Sequence, residues 1–342
     1  MKELMELMNL RSPSGHEEAI RAYLMKKIRP HCKNMKVDNF GNLIVHKKGK
    51  GPKVLLAAHM DEIGLLVQSI SNAGIMKVAL VGYIDPLAVI NLHVKIHTKK
   101  KGKIITGVVT TLQQSHFLEV EEVPVKSDLI VDTGLNKKEL IKIGVNVGSF
   151  IEFSEAATTL GSKNHICGKA VDDRAGCYIL LQLIRECKKS NVDIYYVFTV
   201  QEEIGLYGAK TSVYNLDPEW AVVIDVTSAN DTEENAQNIT RALGKGPTLT
   251  VMDAEIMGNT CLNNNIQKVA KKLKLPVQLD VSEEGTTDAL NISLSKGGIP
   301  TTVFGVAVRN LHTSIGIVHK KDIENTIKIL KELVSKPPKI CL

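Results

Sequence analysis

The chain has no CxxC pair, no apolar run approaching 20 residues and few aromatics, and each shortage excludes a class of protein. Six cysteines, at positions 32, 167, 177, 187, 261 and 341, lie far apart, so the sequence predicts reduced thiols rather than a disulfide frame or a zinc knuckle. Without a long apolar segment no membrane span is expected, and the opening MKELMELMNLRS carries acidic residues where a secretory signal would be basic and then uniformly apolar. A cytoplasmic protein is the expectation. Aromatic residues make up 4% and do not interleave with the lysine clusters, such as Lys99-Lys100-Lys101, so no nucleic-acid partner is expected. With 25 Gly and 11 Pro in 342 residues, collagen-like and low-complexity readings also go. What is present is 44% hydrophobic and 23% charged residues with a net charge of +6, the make-up of a well-packed globular chain.

The periodicity divides the chain. Ser14-Gly15-His16-Glu17 has the spacing of a capping box and predicts an amphipathic helix that Pro30 stops. A hairpin follows, its strands flanking Asn39-Phe40-Gly41, and then Lys53 to Ala58 forms a short, nearly continuous apolar run of the kind found in buried strands. From 68 to 160 the texture is Val-, Ile- and Thr-rich with turns and almost no helical period, which predicts a small β-rich domain. Beyond 165 strand and helix alternate through a closing helix at Lys321 to Ser335. That alternation predicts an α/β fold, a mostly parallel sheet between helices, formed by 1–67 and 161–342 with the β-rich part inserted.

The polar residues that follow the apolar runs carry the chemistry. His59-Met60-Asp61 leaves one run, and side chains two apart in an extended chain share a side, so Asp61 can orient the His59 imidazole. Glu202-Glu203, Asp225 and His312 follow three further strands. In open α/β sheets ligands bind beyond the carboxyl ends of the strands, so these residues are expected at one edge. Asp172-Asp173-Arg174 precedes the helix from Ala175, where a helix start tolerates a carboxylate. Two imidazoles and several carboxylates with no local thiolate suit a pair of zinc, cobalt or manganese ions that share a water. Neighbouring side chains diverge, so one of Glu202 and Glu203 can bind metal while the other acts as a general base. His16, His31, His46, His93, His97, His165 and His319 are read as surface or packing residues, and Cys167 as a small core residue.

The segments LAAHMDEIG, AVDDRAG, FTVQEEIGLYGAK, VVIDVT, GTTDA and VRNLHT resemble, in that order, the cytosolic metallo-aminopeptidases of metallopeptidase family forty-two, which include tetrahedral, glutamyl and deblocking aminopeptidases. The likeness runs from about Leu10 to Ser335. It implies two divalent ions, zinc with cobalt as the alternative, with Asp172 as the bridge and His59, Glu203, Asp225 and His312 as the other ligands. It also implies Glu202 as the general base and Asp61 as the orienting partner of His59. The substrates would be peptides with a free N-terminus, and the insert would build dimers that assemble into a dodecamer. The chain departs from the family at Glu283-Glu284-Gly285-Thr286, where a glycine-rich loop is usual, at Asn310 and Thr313, and at Gln114-Ser115 before His116. His116 resembles in position a family histidine in the insert, which leaves open an interface or site-rim role or none. The alternative functions are an endoglucanase-type glycoside hydrolase, which would need two carboxyl groups and no histidine ligands, and a catalytically silent peptide-binding scaffold.

Overall fold

The structure, a computed structural model, describes residues 1–100, 102–111, 123–187, 191–232 and 239–338. Gln114, Ser115 and His116, singled out in the sequence, lie outside the described residues.

Four strands form the centre of a 12-stranded sheet: Asp193–Thr199, Lys53–His59, Trp220–Val223 and Thr301–Arg309, in that spatial order and all mutually parallel. Their near-continuous apolar sequence follows from burial on both faces. Successive residues point to opposite sides, so Leu56 and Ala58 join one core while Leu55 and Ala57 join another. The first core is closed by the long helix Val171–Glu186 and the closing helix Lys320–Ser335, through Ile179, Leu183, Ile323 and Leu330. The second is closed by Tyr207–Val213 and Ala289–Ser293, through Ala209, Val213 and Ile292. The α/β fold, with a parallel centre between helices, is therefore as the sequence predicts, but the sheet as a whole is mixed: strands such as Leu43–Lys47 and Gly316–His319 join it antiparallel. Because the four strands run the same way, their carboxyl ends open on one edge.

The insert is a closed antiparallel barrel of six strands, from Gly64–Ile70 to Phe150–Phe153. Its interior holds Leu65, Val67, Val94, Ile96, Val109, Val131 and Ile151. Gly107 faces this interior where a Cβ would lie 2.8 Å from Ile96 Cδ1 and 2.9 Å from Val131 Cγ1, so any side chain there would force the wall apart. The expected limits of 68 and 160 differ from these strands at both ends. The first barrel strand begins at Gly64, directly after the Met60-Asp61-Glu62-Ile63 loop, and Thr158–Leu160 pairs with His165–Gly168 of the large sheet.

Two local expectations are corrected. Ser14 does not cap the following helix, Glu18–Ile28, whose start has no side-chain cap; its hydroxyl instead donates to Asp61 Oδ2 at 2.6 Å. A charge-assisted bond to a buried carboxylate outweighs a local one to a backbone amide. Cys32, Cys167, Cys177 and Cys187 are free thiols, but Cys261 is disulfide-bonded, contrary to the expectation of six reduced cysteines. Among the described residues no helix is long and apolar enough to cross a membrane.

Candidate metal centre

The four parallel strands deliver His59, Glu202 with Glu203, Asp225 and His312 to the same edge, and the start of the Val171–Glu186 helix brings Asp172 between them. Asp172 and Asp173 have non-helical dihedrals, and the peptide bond joining them is cis. Asp173 Oδ1 accepts the Gly176 N–H at 2.7 Å, which caps the regular part of the helix and leaves Asp172 outside it.

Asp172 divides its two oxygens. Oδ1 lies 2.8 Å from His59 Nε2 and Oδ2 lies 3.4 Å from His312 Nε2. His59 Nε2 is 3.9 Å from Asp225 Oδ1, and His312 Nε2 is 3.7 Å from Glu203 Oε2. Two groups of candidate ligands result, His59–Asp172–Asp225 and Asp172–Glu203–His312, each with donor atoms within 4.8 Å of one another. All five sequence-predicted ligands are thus brought together. Asp61 Oδ1 sits 3.4 Å from His59 Nδ1, the far side of the ring from Asp172.

Several neighbours fix these side chains. Arg174, fully buried, donates to the carbonyls of Met60, Asp61, Leu7 and Leu10 and so ties the loop after His59 to the helix that carries Asp172. Lys169 is sandwiched between Glu62, at 2.7 Å, and Glu152 of the barrel, at 3.2 Å. Breaking a buried pair of this kind costs about 3–5 kcal/mol, so it fastens the barrel beside the site. Gly305 lets its strand run against Asp225, whose carbonyl oxygen would be 1.5 Å from a Cβ there. Ala170, Gln201, Asn310 and His312, all within two residues of a candidate ligand, have left-handed φ between 54° and 56°. Each such conformation costs of order 1–3 kcal/mol and persists only where the surroundings over-determine it.

The electrostatics reflect crowded negative charge. Burial, with the Asp172 carboxylate next in raising it, pushes Glu203 up to about 8. Burial and the same neighbour raise Asp225 to about 7. Glu202 is held well above the usual carboxylate range by burial and by Asp225. Asp172 goes the other way: burial pushes it up, but hydrogen bonding with His312 and His59 outweighs this and holds it below the usual range. Burial works against the His312 cation, yet Asp172 and Glu203 bring it up to about 9. Nitrogen and oxygen donors with a shared carboxylate and an excess of buried negative charge match hard or borderline divalent cations.

Further buried acids at this edge are not predicted as part of the centre by the sequence. Asp173 caps the helix start, Glu17 accepts the Gly15 N–H at 2.7 Å, and Asp288 accepts the Thr199 hydroxyl at 2.5 Å. Asp173 and Asp288 carry a signal as acids of AVDDRAG and GTTDA, and Glu17 only the spacing of a local cap. The other described histidines fall outside the cluster: His97 is buried between Arg11 and Glu152 and stacks on Phe150, and His46 pairs with Asp193. Cys167 is buried in the strand His165–Gly168 and belongs to neither ligand group.

A sequence profile described as M42 glutamyl aminopeptidase matches residues 41–329. A lysyl aminopeptidase of Pyrococcus furiosus is 34% identical over 94% of this chain and 93% of its own length. Among solved structures, an aminopeptidase from the archaeon Desulfurococcus kamchatkensis superposes with a TM-score of 0.94 at 31% identity, covering 98% of this chain and 94% of that one. The TET1 peptidase of Pyrococcus horikoshii, which can assemble into a tetrahedron or a large octahedral shell, gives 0.86 at 29% identity over 98% of this chain and 99% of that one.

Proposed function

This chain belongs to the M42 family of aminopeptidases, and we propose that it releases the N-terminal residue of peptides at a centre for two divalent cations, zinc or cobalt. The observation that carries the reading is Asp172, with one oxygen toward His59 and the other toward His312. His59, Asp172 and Asp225 would hold one ion, and Asp172, Glu203 and His312 the other.

Bound there, the ions supply Lewis acidity for the scissile carbonyl, an anchor for the substrate's free amine and acidification of the attacking water. The protein's own groups then divide the work. Asp61 holds the His59 ring so that Nε2 faces Asp172. Glu202, only 9% exposed, takes a proton from the water as its oxygen adds to the carbonyl carbon. The same carboxyl gives that proton to the departing nitrogen as the C–N bond breaks. Ile63, Val171, Asn310, Leu311 and Thr313 line the cleft beside Asp172, Glu203 and His312. None of these five carries a charge, which supports neutral N-terminal residues over acidic or basic ones.

Aminoacyl-nitroanilides assayed before and after chelation test the reading. Neutral residues are expected to be released fastest, activity to vanish on chelation and return with zinc or cobalt, and N-acetylated substrates to resist cleavage. Activity that survives chelation, or equal cleavage of acetylated substrates, contradicts it. The glycosidase alternative has no use for two imidazoles beside the carboxylates, and the family places peptide hydrolysis ahead of it. A silent scaffold predicts an inert protein in the same assay.

We further propose that the insert mediates self-association, on the way to a dodecamer. The shells of the Pyrococcus horikoshii relative and the exposed Val123, Val125, Ile141 and Val147 support this. Light scattering is expected to give a mass many times that of one chain; a monomer at micromolar concentration contradicts it.

A further inference from the structure

The loop that carries Glu202 and Glu203 is held in an unusual way. Four consecutive backbone N–H groups, from Val200 to Glu203, each donate to a side-chain oxygen rather than to a neighbouring strand or helix. Val200 N–H donates to Asn42 Oδ1 at 3.0 Å and Gln201 N–H to Glu17 Oε1 at 3.2 Å. Glu202 N–H donates to Asp61 Oδ1 at 3.0 Å and Glu203 N–H to Asp61 Oδ2 at 3.2 Å. The three acceptors come from different segments: the hairpin, the turn before the Glu18–Ile28 helix and the loop after Lys53–His59. Asn42, Asp61 and Glu17 are 0%, 0% and 4% exposed, so water does not compete for these bonds.

Each acceptor is itself anchored. Ser14 Oγ donates to Asp61 Oδ2 at 2.6 Å, and Gly15 N–H donates to the same Glu17 Oε1 that receives Gln201. Asn42 Nδ2 donates to Asp38 Oδ2 at 2.7 Å and to the Gly208 carbonyl at 3.0 Å. One member of the captured run, Gln201, has φ 55°, a conformation that a non-glycine residue leaves when released. The Ser14-to-Glu17 turn therefore reaches across the molecule to a backbone that would otherwise relax.

We propose that Glu17, held in place by the Gly15 N–H, is a positioning residue for peptide hydrolysis: its Oε1 holds the Gln201 amide and thereby sets the aim of the Glu202 carboxyl. The inference rests on Glu202 being the general base, and it assigns Glu17 no contact with substrate or cation. Its function is as a hydrogen-bond acceptor, which a glutamine retains through its amide oxygen and an alanine does not. Misplacing a reacting group by about 1 Å costs up to about 10²-fold in rate, which bounds the expected effect.

The test compares Glu17→Ala, Glu17→Gln and each combined with Glu202→Gln, in the metal-loaded enzyme with the metal content measured. Glu17→Ala is expected to lower kcat by about 10- to 100-fold with KM within threefold and the metal content unchanged. Glu17→Gln is expected to recover kcat to within about threefold of the parent, as an intact acceptor requires. In the Glu202→Gln background Glu17→Ala should have almost no further effect, because it acts through a base already removed. Parent-like kcat in Glu17→Ala, equal losses in the Ala and Gln variants, or the same factor in both backgrounds would each overturn the assignment. Should Glu17→Ala not fold, Glu17→Met fills the space without an acceptor and carries the same comparison. Failure of the base reading is distinguishable, since it would show as full turnover in Glu202→Gln alone.

Discussion

Replacing Glu202 by Gln is expected to lower kcat by about 10²–10⁴-fold while both cations stay bound. The amide matches the carboxyl in volume and cannot take up the proton of the attacking water. Nothing else in the vicinity should change: Glu202 is in neither ligand group, and its backbone N–H, not its side chain, makes the bond to Asp61. Burial and Asp225 hold its carboxyl above the usual carboxylate range. Steady-state kinetics with metal analysis on the same sample decide the matter. Turnover within a few-fold of the parent would remove Glu202 from the mechanism, and loss of metal would make it a ligand instead.

Substitution at Asp172 is expected to be at least as severe and to differ in kind. Its two oxygens face two different histidines, and Asp172 is the one residue common to both ligand groups among the described residues. Asp172→Ala should therefore empty both positions, whereas Asp225→Ala, which touches only the His59 group, should leave about one ion per subunit. Losing several kcal/mol of charge stabilisation corresponds to a fall in kcat/KM of about 10³-fold or more. Metal counting by plasma spectrometry on dialysed protein separates the two variants. One ion retained in Asp172→Ala would show that the carboxylate is not shared.

The arrangement of the sheet was legible because burial on two faces writes long apolar runs, and the first polar residues after each run mark the strand ends. His59, Glu202, Glu203, Asp225 and His312 could be read in this way from Lys53–His59, Asp193–Thr199, Trp220–Val223 and Thr301–Arg309. What periodicity could not give was anything that depends on contacts between distant segments. Ser14 and Glu17 have the spacing of a local cap, yet their partners are Asp61 and Gln201, 47 and 184 residues away. The Lys169 pairs with Glu62 and Glu152 join two domains, and nothing in the pattern around any of the three announces a buried charge. The insert's first strand, Gly64–Ile70, follows the Lys53–His59 strand after only four residues, and its place in the barrel rather than the large sheet is set by its distant partners Met76–Val81 and Phe150–Phe153. The sequence also offered no means of telling how Asp172 distributes its oxygens, which is a matter of side-chain orientation outside the regular helix.

The most direct test is anomalous diffraction from crystals of the cobalt- or zinc-loaded protein. Two peaks are predicted, one on each side of Asp172, the first among His59 and Asp225 and the second among Glu203 and His312. A single peak, or a pair that Asp172 does not separate, would contradict the shared-carboxylate centre on which the proposed chemistry depends.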